Sequence, residues 1–200
     1  MVHFDVAGYV HRERNRFHQP KEGPIQRSAI LSPCRRWRYR LDRRWTSGQT
    51  VCFIGLNPST ADETTDDPTL RRCIGFASKW GYGSLFMVNL YALRATDPSL
   101  LWQKPHKTRV GPHWQQHFLD AVTQTDCVVT CWGGFSKGRV MDRRQGQRHA
   151  NHTLALLHTN NIEFSHLGLT RGHQPKHPLY LAKDTPLSKW CWRPESDSLA

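Results

Sequence analysis

Four segments along the chain are predicted to be β-strands, and the first two are continuous apolar runs. They cover residues 51–54, 85–88, 126–132 and 162–169, and each is followed by a glycine or a polar residue. Between them, apolar residues recur at helical spacing over residues 68–80, 112–124 and 147–160. Continuous apolar runs are typical of parallel strands, which are covered on both faces. The alternation predicts an α/β fold, namely a three-layer sandwich with a central four-stranded parallel sheet flanked by helices.

An antiparallel β-hairpin is predicted ahead of this sheet. Its strands are residues 29–31 and 36–41, and Ser32-Pro33 forms the turn. Strict alternation gives the second strand two faces, with Trp37, Tyr39 and Leu41 on one and Arg36, Arg38 and Arg40 on the other. Six arginines fall within residues 34–45. This face is either a phosphate-binding surface or an edge strand protected by charge, and the density of arginines favours phosphate.

The charge of the chain indicates a polyanionic partner. Lys and Arg number 28 against 16 Asp and Glu, which gives a net charge of +12. Residues 1–50 alone hold 11 basic and four acidic residues. Residues 1–27 are expected to form a basic arm, and residues 28–200 a single α/β domain. DNA is the expected partner, and RNA remains open.

The cysteine pattern argues against a metal or redox site. None of the six cysteines forms a C-x-x-C pair, and the spacing of Cys127 and Cys131 from the later histidines fits no common metal site. We therefore expect no metal and no cofactor. The chain has no apolar signal-peptide core and no run of roughly 18 apolar residues that could span a membrane. We expect a cytoplasmic protein without membrane contact, and a monomer.

Chemically distinctive residues follow each predicted strand. They are Asn57-Pro58, Asn89, Gly133-Gly134 and the loop that leads to His177. The carboxyl ends of parallel strands meet at one edge of a sheet, where ligands bind. Each residue also has a plainer interpretation as a turn former, and Asp67 is expected to cap a helix. Their convergence on one edge favours a site.

Four of these segments resemble motifs of the uracil-DNA glycosylase superfamily. They are Gly-Leu-Asn-Pro at 55–58, Val-Asn-Leu at 88–90, Val-Val-Thr-Cys-Trp-Gly at 128–133 and His-Pro-Leu at 177–179. The resemblance covers residues 50–181. The sequence is similar, more closely, to a bacterial and phage family of unknown function with the same G-L-N-P-S and H-P-L-Y-L signatures, a distant branch of that superfamily.

The resemblance implies a role for each motif residue. Asn57 would hold the attacking water, and Asn89 would bind the edge of a flipped base. His177 would stabilise negative charge on the base, while Leu179 would wedge into the duplex. Asn57 stands where the fastest uracil enzymes have an acid, and Leu179 stands where serine is usual.

The residues fit the hydrolysis of an N-glycosidic bond. A base must leave the duplex to be reached, and it departs with negative charge. His177 suits that charge as a neutral donor, and Asn57 or an acid from residues 62–67 suits the water. Phe76, Trp132 or Tyr180 could stack on the base. The backbone phosphates would contact Arg36, Arg38, Arg40, Lys137 and Arg139.

We therefore expect a glycosylase-like protein that acts by base flipping on a damaged or modified base in DNA. Two alternatives stay open. One is a catalytically inactive DNA- or base-binding module of the same fold. The other is an enzyme acting on free nucleosides or nucleotides, which would not need the arginine-dense hairpin.

Overall fold

The structure is a computed structural model that describes residues 25–135 and 140–193. The strands in these residues are β1 (Gln26–Leu31), β2 (Arg38–Arg44), β3 (Thr50–Gly55), β4 (Ser84–Asn89), β5 (Cys127–Thr130), β6 (Phe164–His166) and β7 (Ser188–Lys189). The helices are α1 (Pro68–Lys79), α2 (Pro98–Trp102), α3 (His106–Val110), α4 (Trp114–Thr123) and α5 (Val140–Thr159). A 3-10 turn covers Pro178–Tyr180.

All the described strands belong to one mixed sheet in the order β1-β2-β4-β3-β5-β6-β7. The four inner strands β4, β3, β5 and β6 run parallel, which confirms the predicted parallel core. The sheet has seven strands rather than four. The N-terminal hairpin pairs antiparallel with β4 and the short β7 pairs antiparallel with β6, so both edges are extended.

Apolar side chains on both faces of the sheet are buried under helices. On one face, Phe53 of β3 belongs to the same core cluster as Leu70 and Phe76 of α1. On the other face, Ile54 clusters with residues of α4 and α5, including Phe118 and Leu154. Burying a side chain of this size contributes roughly 1.5–3 kcal/mol. Because successive residues of the β3 run face opposite cores, the run is apolar throughout.

A β-bulge interrupts the alternation of β2. Ile30 pairs with Arg40, but the next residue of β1, Leu31, pairs with Arg38, so Tyr39 is an extra residue in the ladder. Two consecutive residues then share one face: Tyr39 stacks on His117 and the guanidinium of Arg40 lies over Phe86. Arg38 consequently turns to the opposite face. Bulges commonly redirect one side chain in this way.

Several predicted boundaries differ from the structure. Helix α5 begins at Val140 rather than at residue 147, so it is about two turns longer at its start than predicted. The connection after β4 holds the short helices α2 and α3. Residues 1–24 of the predicted arm lie outside the described residues, and Gln26 and Arg27 already belong to β1. No helix in the described ranges is long and apolar enough to cross a membrane.

Candidate functional site

A cleft of about 680 Å³ opens at the carboxyl edge of the parallel strands. From β3 the chain crosses to β4 on one side and later to β5 on the other, so the loops after β3 and β5 diverge there. Such a switch in strand order is the usual place for a ligand. The polar side chains of the lining are Arg38, Asn57, Ser59, Asp67, Thr69, Asn89, Thr96, Thr170, Lys176 and His177.

Asn57 enters the cleft on the rigid Asn-Pro corner that follows β3. Its side-chain Nδ2 donates to the carbonyl of Ala95 over 2.7 Å and to that of Pro58 over 3.0 Å. These two bonds fix the orientation of the amide. The remaining group, Oδ1, is an acceptor, which is the kind of atom that holds a water molecule by one of its protons.

Asn89 ends β4 at the base of the cleft and is only 5% exposed. Its Nδ2 is buried without a hydrogen-bond acceptor in the described residues. A Cβ added to Gly55 would lie 2.8 Å from Oδ1 of Asn89, so the glycine leaves the space that this amide occupies. An amide with a free donor lining a cleft is suited to bind a polar ligand, because a buried unpaired donor is costly.

His177 reaches the cleft from the loop after β6 and caps the 3-10 turn. The backbone N–H of Leu179 donates to His177 Nδ1 over 3.4 Å, so the neutral ring carries its proton on Nε2. Burial lowers the pKa of His177, and the carboxylate of Asp67 opposes that shift. The imidazole is therefore neutral at pH 7 and presents one N–H donor.

The loop that holds His177 is fixed by a buried hydrogen-bond chain. Trp132 Nε1 donates to Gln174 Oε1 over 2.9 Å, and Gln174 Nε2 donates to Gln147 Oε1 over 2.8 Å. Gly133, which has φ +78°, would place an added Cβ 3.4 Å from that of His177. On the far side of the turn, the Arg72 guanidinium donates to the carbonyl of Leu181. The segment after β5 and the helices α1 and α5 thus all help to position the histidine.

Asp67 is the acid among the described residues that line the cleft, although the sequence indicated only a helix cap. It does cap α1, because the N–H of Leu70 donates to Oδ1 over 2.8 Å. The other acids of the loop have structural partners. Asp62 accepts from Thr64 and Thr65, Glu63 pairs with Arg35, and Asp66 pairs with Arg43. Backbone and hydroxyl donors at Thr64 lower the pKa of Asp62 to about 2.

Arg38 is the second cleft residue whose place sequence reasoning missed. The bulge turns it inward, where it is 3% exposed and its Nη1 donates to the carbonyl of Ala61 over 2.7 Å. Its Nε has no acceptor in the described chain. Burial lowers the pKa of Arg38 to about 10, partly opposed by Asp67, so the guanidinium stays charged at pH 7.

The other residues predicted to contact phosphates are in different surroundings. Arg36 is exposed and lies over the ring of Trp37. Arg40 is half-buried, and its Nε lies 2.9 Å from Oδ1 of Asp42. Lys137 and Arg139 lie outside the described residues. The expectation of three exposed arginines on one face is therefore wrong for Arg38, because of the bulge.

Apolar and aromatic side chains form the walls and the mouth of the cleft. Tyr180 is 82% exposed and Leu179 is 39% exposed at the mouth. Trp132, Trp102 and Phe135 line the wall. Phe76 does not reach the cleft: it is 2% exposed and stacks on Trp80 in the core under α1, so the prediction that it contacts a base is corrected.

The cleft offers neutral and cationic donors, one carboxylate and one fixed amide oxygen. Within the described ranges, no group of three or more His, Cys, Asp or Glu side chains could hold a metal ion. This set can bind an acceptor-rich, flat polar ligand, stabilise developing negative charge through His177, and orient a water molecule beside Asp67 and Asn57.

The fold and the cleft define an α/β protein with a parallel core and a ligand cleft where the strand order switches. The sequence profile of the family described as "Protein of unknown function (DUF1643)" matches residues 38–179, and the chain belongs to this family. The matched range includes the cleft residues from Arg38 to Leu179. No curated protein and no solved structure matches the chain.

Proposed function

We propose that this protein binds an extruded nucleobase of DNA in the cleft and hydrolyses its N-glycosidic bond, as a distant relative of the uracil-DNA glycosylase superfamily. The observation that supports this most is the presence of Asn57, Asn89 and His177 in one cleft at the carboxyl edge of the sheet. Asn57 and His177 come from two separate loops and Asn89 from the end of β4, and each presents a group that the reaction needs.

In the proposed reaction, His177 stabilises the departing base, whereas Asn57 and Asp67 act on the attacking water. The bond from the sugar carbon to the base nitrogen breaks, and the base leaves with the electron pair. His177 Nε2–H donates a hydrogen bond to the negative charge that develops on the base. A water molecule held by Asn57 Oδ1 attacks the sugar carbon, and its proton passes to Asp67 and finally to the base. The products are a free base and an abasic sugar.

Recognition of the base relies on Asn89 and on the mouth of the cleft. Asn89 has both a donor and an acceptor, which suffice for two hydrogen bonds to one edge of a base. The exposed ring of Tyr180 can stack on a base, and Leu179 beside it can fill the gap that an extruded base leaves in the duplex. We assign Tyr180 to stacking in place of Phe76.

The second candidate is an enzyme that acts on free nucleosides or nucleotides. The observation that favours it is the inward orientation of Arg38, because a cation inside the cleft serves a small charged substrate as well as a DNA strand. This candidate needs no basic outer surface. It differs from the first in releasing base from free nucleosides or nucleotides rather than from a polymer.

The test is base release from defined oligonucleotides. DNA and RNA strands containing uracil, hypoxanthine or a hydroxymethylated pyrimidine are incubated with the protein, and free base is quantified by mass spectrometry. We expect release from at least one DNA substrate, reduced about 100-fold or more in His177→Ala and Asn57→Ala. His152→Ala, on the exposed side of α5, is the control that should keep activity. Retention of DNA without release would instead support the inactive binding module.

A further inference from the structure

A buried, charged guanidinium without an ion-pair partner lines the cleft. Arg38 is 3% exposed, and no carboxylate among the described residues lies within ion-pair distance of it. Its Nη1 donates to the carbonyl of Ala61, which occupies one of five donors. Its Nε is buried without an acceptor. Arginines in protein interiors are normally paired, since an uncompensated buried charge is strongly destabilising.

The charges around Arg38 do not supply the missing partner. Asp67 and Asp62 act on it favourably at a distance, whereas Arg94 and Arg43 act unfavourably. Asp62 already accepts from Thr64 and Thr65, and Asp66 compensates Arg43. Asp67 accepts from Leu70 as a helix cap. Among the charged residues that line the cleft, Arg38 and Lys176 are cationic and Asp67 is the acid, so the lining carries an excess of positive charge.

The local fold keeps this guanidinium turned into the cleft. The bulge at Tyr39 turns Arg38 to the same face as Leu41, which also lines the cleft. Strand β2 holds its backbone, and the Arg38 N–H donates to the carbonyl of Ala92 over 2.9 Å. A fixed, planar set of donors of this kind matches the oxygens of a phosphate group.

We propose that Arg38 binds a phosphate of the nucleotide whose base reaches Asn89, so that the cleft recognises a phosphorylated nucleotide and not a base or nucleoside alone. This proposal rests on the proposed function, because it assumes that the ligand carries a nucleobase. A cleft of about 680 Å³ is in the range that accommodates a small molecule of nucleotide size. The phosphate would come from the DNA backbone or from a free nucleotide.

The test compares matched ligands by calorimetry on the full chain. The probes are the four common deoxynucleosides, their 5′-monophosphates and inorganic phosphate. We expect at least one monophosphate to bind about tenfold or more tightly than its nucleoside, as a charge-assisted hydrogen bond would give, and inorganic phosphate to compete with it. Equal affinity of nucleoside and monophosphate, or no binding of any phosphorylated probe, would overturn the proposal without any variant being made.

Substitutions then test whether the preference for the monophosphate over the nucleoside depends on Arg38. Arg38→Met should remove the preference for the monophosphate and keep the affinity for the nucleoside, whereas the matched control Arg44→Met, at the exposed end of the same strand, should retain the preference. A preference that survives in Arg38→Met would also overturn the assignment. Should Arg38→Met fail to fold, Arg38→Lys keeps the charge without the planar donor set and should weaken the preference.

The outcomes for this proposal and for the proposed function can be separated. Ligand binding is measured without turnover, so a phosphate preference lost in Arg38→Met supports the proposal even where no base is released from DNA. Base release by a protein that binds nucleosides and monophosphates equally would keep the glycosidic activity and reject the role of Arg38.

Discussion

Two single donor atoms lead us to expect that the cleft binds an acceptor-rich ligand. Nδ2 of Asn89 and Nε of Arg38 are both buried, and neither has an acceptor within the described chain. Each unpaired buried donor costs about 1–3 kcal/mol. A ligand that accepts from both recovers that free energy on binding, whereas an apolar ligand recovers none of it. We therefore expect affinity for carbonyl and phosphate oxygens rather than for apolar molecules of the same size.

Asp67 should accept the proton of the attacking water. Because Asp67 also caps α1, a test of this role needs a substitution that removes the acid and keeps the cap. Asparagine also caps helices well, so Asp67→Asn should keep α1 stable. We expect base release to fall about 100-fold or more while the affinity for DNA is maintained, as measured by single-turnover kinetics and titration. Asp62→Asn is the control, because Asp62 serves a turn outside the cleft. Unchanged release by Asp67→Asn would contradict this role.

Gly133 should be needed for the placement of His177. Its φ of +78° is unfavourable for residues with a side chain, and an added Cβ would come within 3.4 Å of the Cβ of His177. Gly133→Ala should lower the free energy of unfolding by about 1–2 kcal/mol in chemical denaturation. The neighbouring Gly134→Ala is the matched control, since an added Cβ there meets nothing within 4 Å. Equal losses in both variants would contradict the prediction.

The convergence of the motif residues on one cleft could be predicted from sequence, because the carboxyl ends of parallel strands meet at one edge of the sheet. The direction of a side chain next to a β-bulge could not be predicted. Asn57, Asn89 and His177 line the cleft together, as their positions after strands imply. Strict alternation predicts Arg38 on the same face as Arg40, and it contains no signal for the bulge that separates the two side chains. Phe76 lies on the buried face of α1, and the helical spacing of Leu70 and Cys73 already indicated that it belongs to the core.

At the scale of elements, Arg43 connects the hairpin to the loop that carries Asp67. It is fully buried, pairs with Asp66 over 2.7 Å, and donates to the carbonyl of Asp62 over 2.6 Å. Among the described ion pairs, removal of Arg43 leaves Asp66 with only the longer contact to Arg27, whose Nη2 lies 3.5 Å from Oδ2. Arg43→Met should therefore lower the free energy of unfolding by about 3 kcal/mol, measured by chemical denaturation.

The matched control for Arg43 is its neighbour on the same strand. Arg44 is exposed at the end of β2, so Arg44→Met should change the free energy of unfolding by less than about 0.5 kcal/mol. If the two substitutions destabilise the protein equally, the loop does not depend on Arg43 for its anchorage.

The free energy of unfolding should depend on pH through His149 of helix α5. This residue is buried and its Nε2–H donates to the carbonyl of Leu90 over 2.6 Å, and burial lowers its pKa to about 4. Between pH 6.5 and 4 the unfolded chain therefore binds a proton that the folded chain does not. The free energy of unfolding should fall as the pH is lowered through this window, by about 3 kcal/mol from this group.

The variant His149→Gln isolates that contribution. Glutamine can donate to the same carbonyl but does not titrate, so stability should depend less on pH between 6.5 and 4 in denaturation curves recorded across the window. His158→Gln, at an exposed position of the same helix, should keep the dependence of the unsubstituted protein. Parallel curves for His149→Gln and the unsubstituted protein would show that His149 is not responsible.

Long elements with a strong apolar pattern could be predicted from sequence, whereas short ones could not. The parallel strands β3 and β4 and helix α1 follow directly from their apolar runs and from the Asp-Pro start of the helix. The two-residue β7 and the five-residue α2 are stabilised by tertiary contacts, which leave no periodic signal in so few residues. The extension of the sheet by β7 was missed for the same reason, whereas the hairpin was predicted and only its pairing with β4 was not.

For the whole molecule, the net charge of +12 is consistent with long-range attraction to nucleic acid. We expect the charge to speed the encounter with nucleic acid and the cleft to recognise the base. A DNA-binding protein of this kind should lose affinity steeply as salt rises, because bound counterions are released from the phosphates. An enzyme of free nucleosides has no such requirement, so the salt dependence separates the two candidate functions.

If Asn57, Asn89 and His177 act together on a single nucleobase, the protein should release that base from DNA. The most direct measurement is mass spectrometry of the free bases released when native bacterial and phage DNA is incubated with the protein. We expect one base to appear with the unsubstituted protein and to be absent with His177→Ala and with Asn57→Ala. The absence of any released base with the unsubstituted protein, or equal release with both variants, would contradict this function.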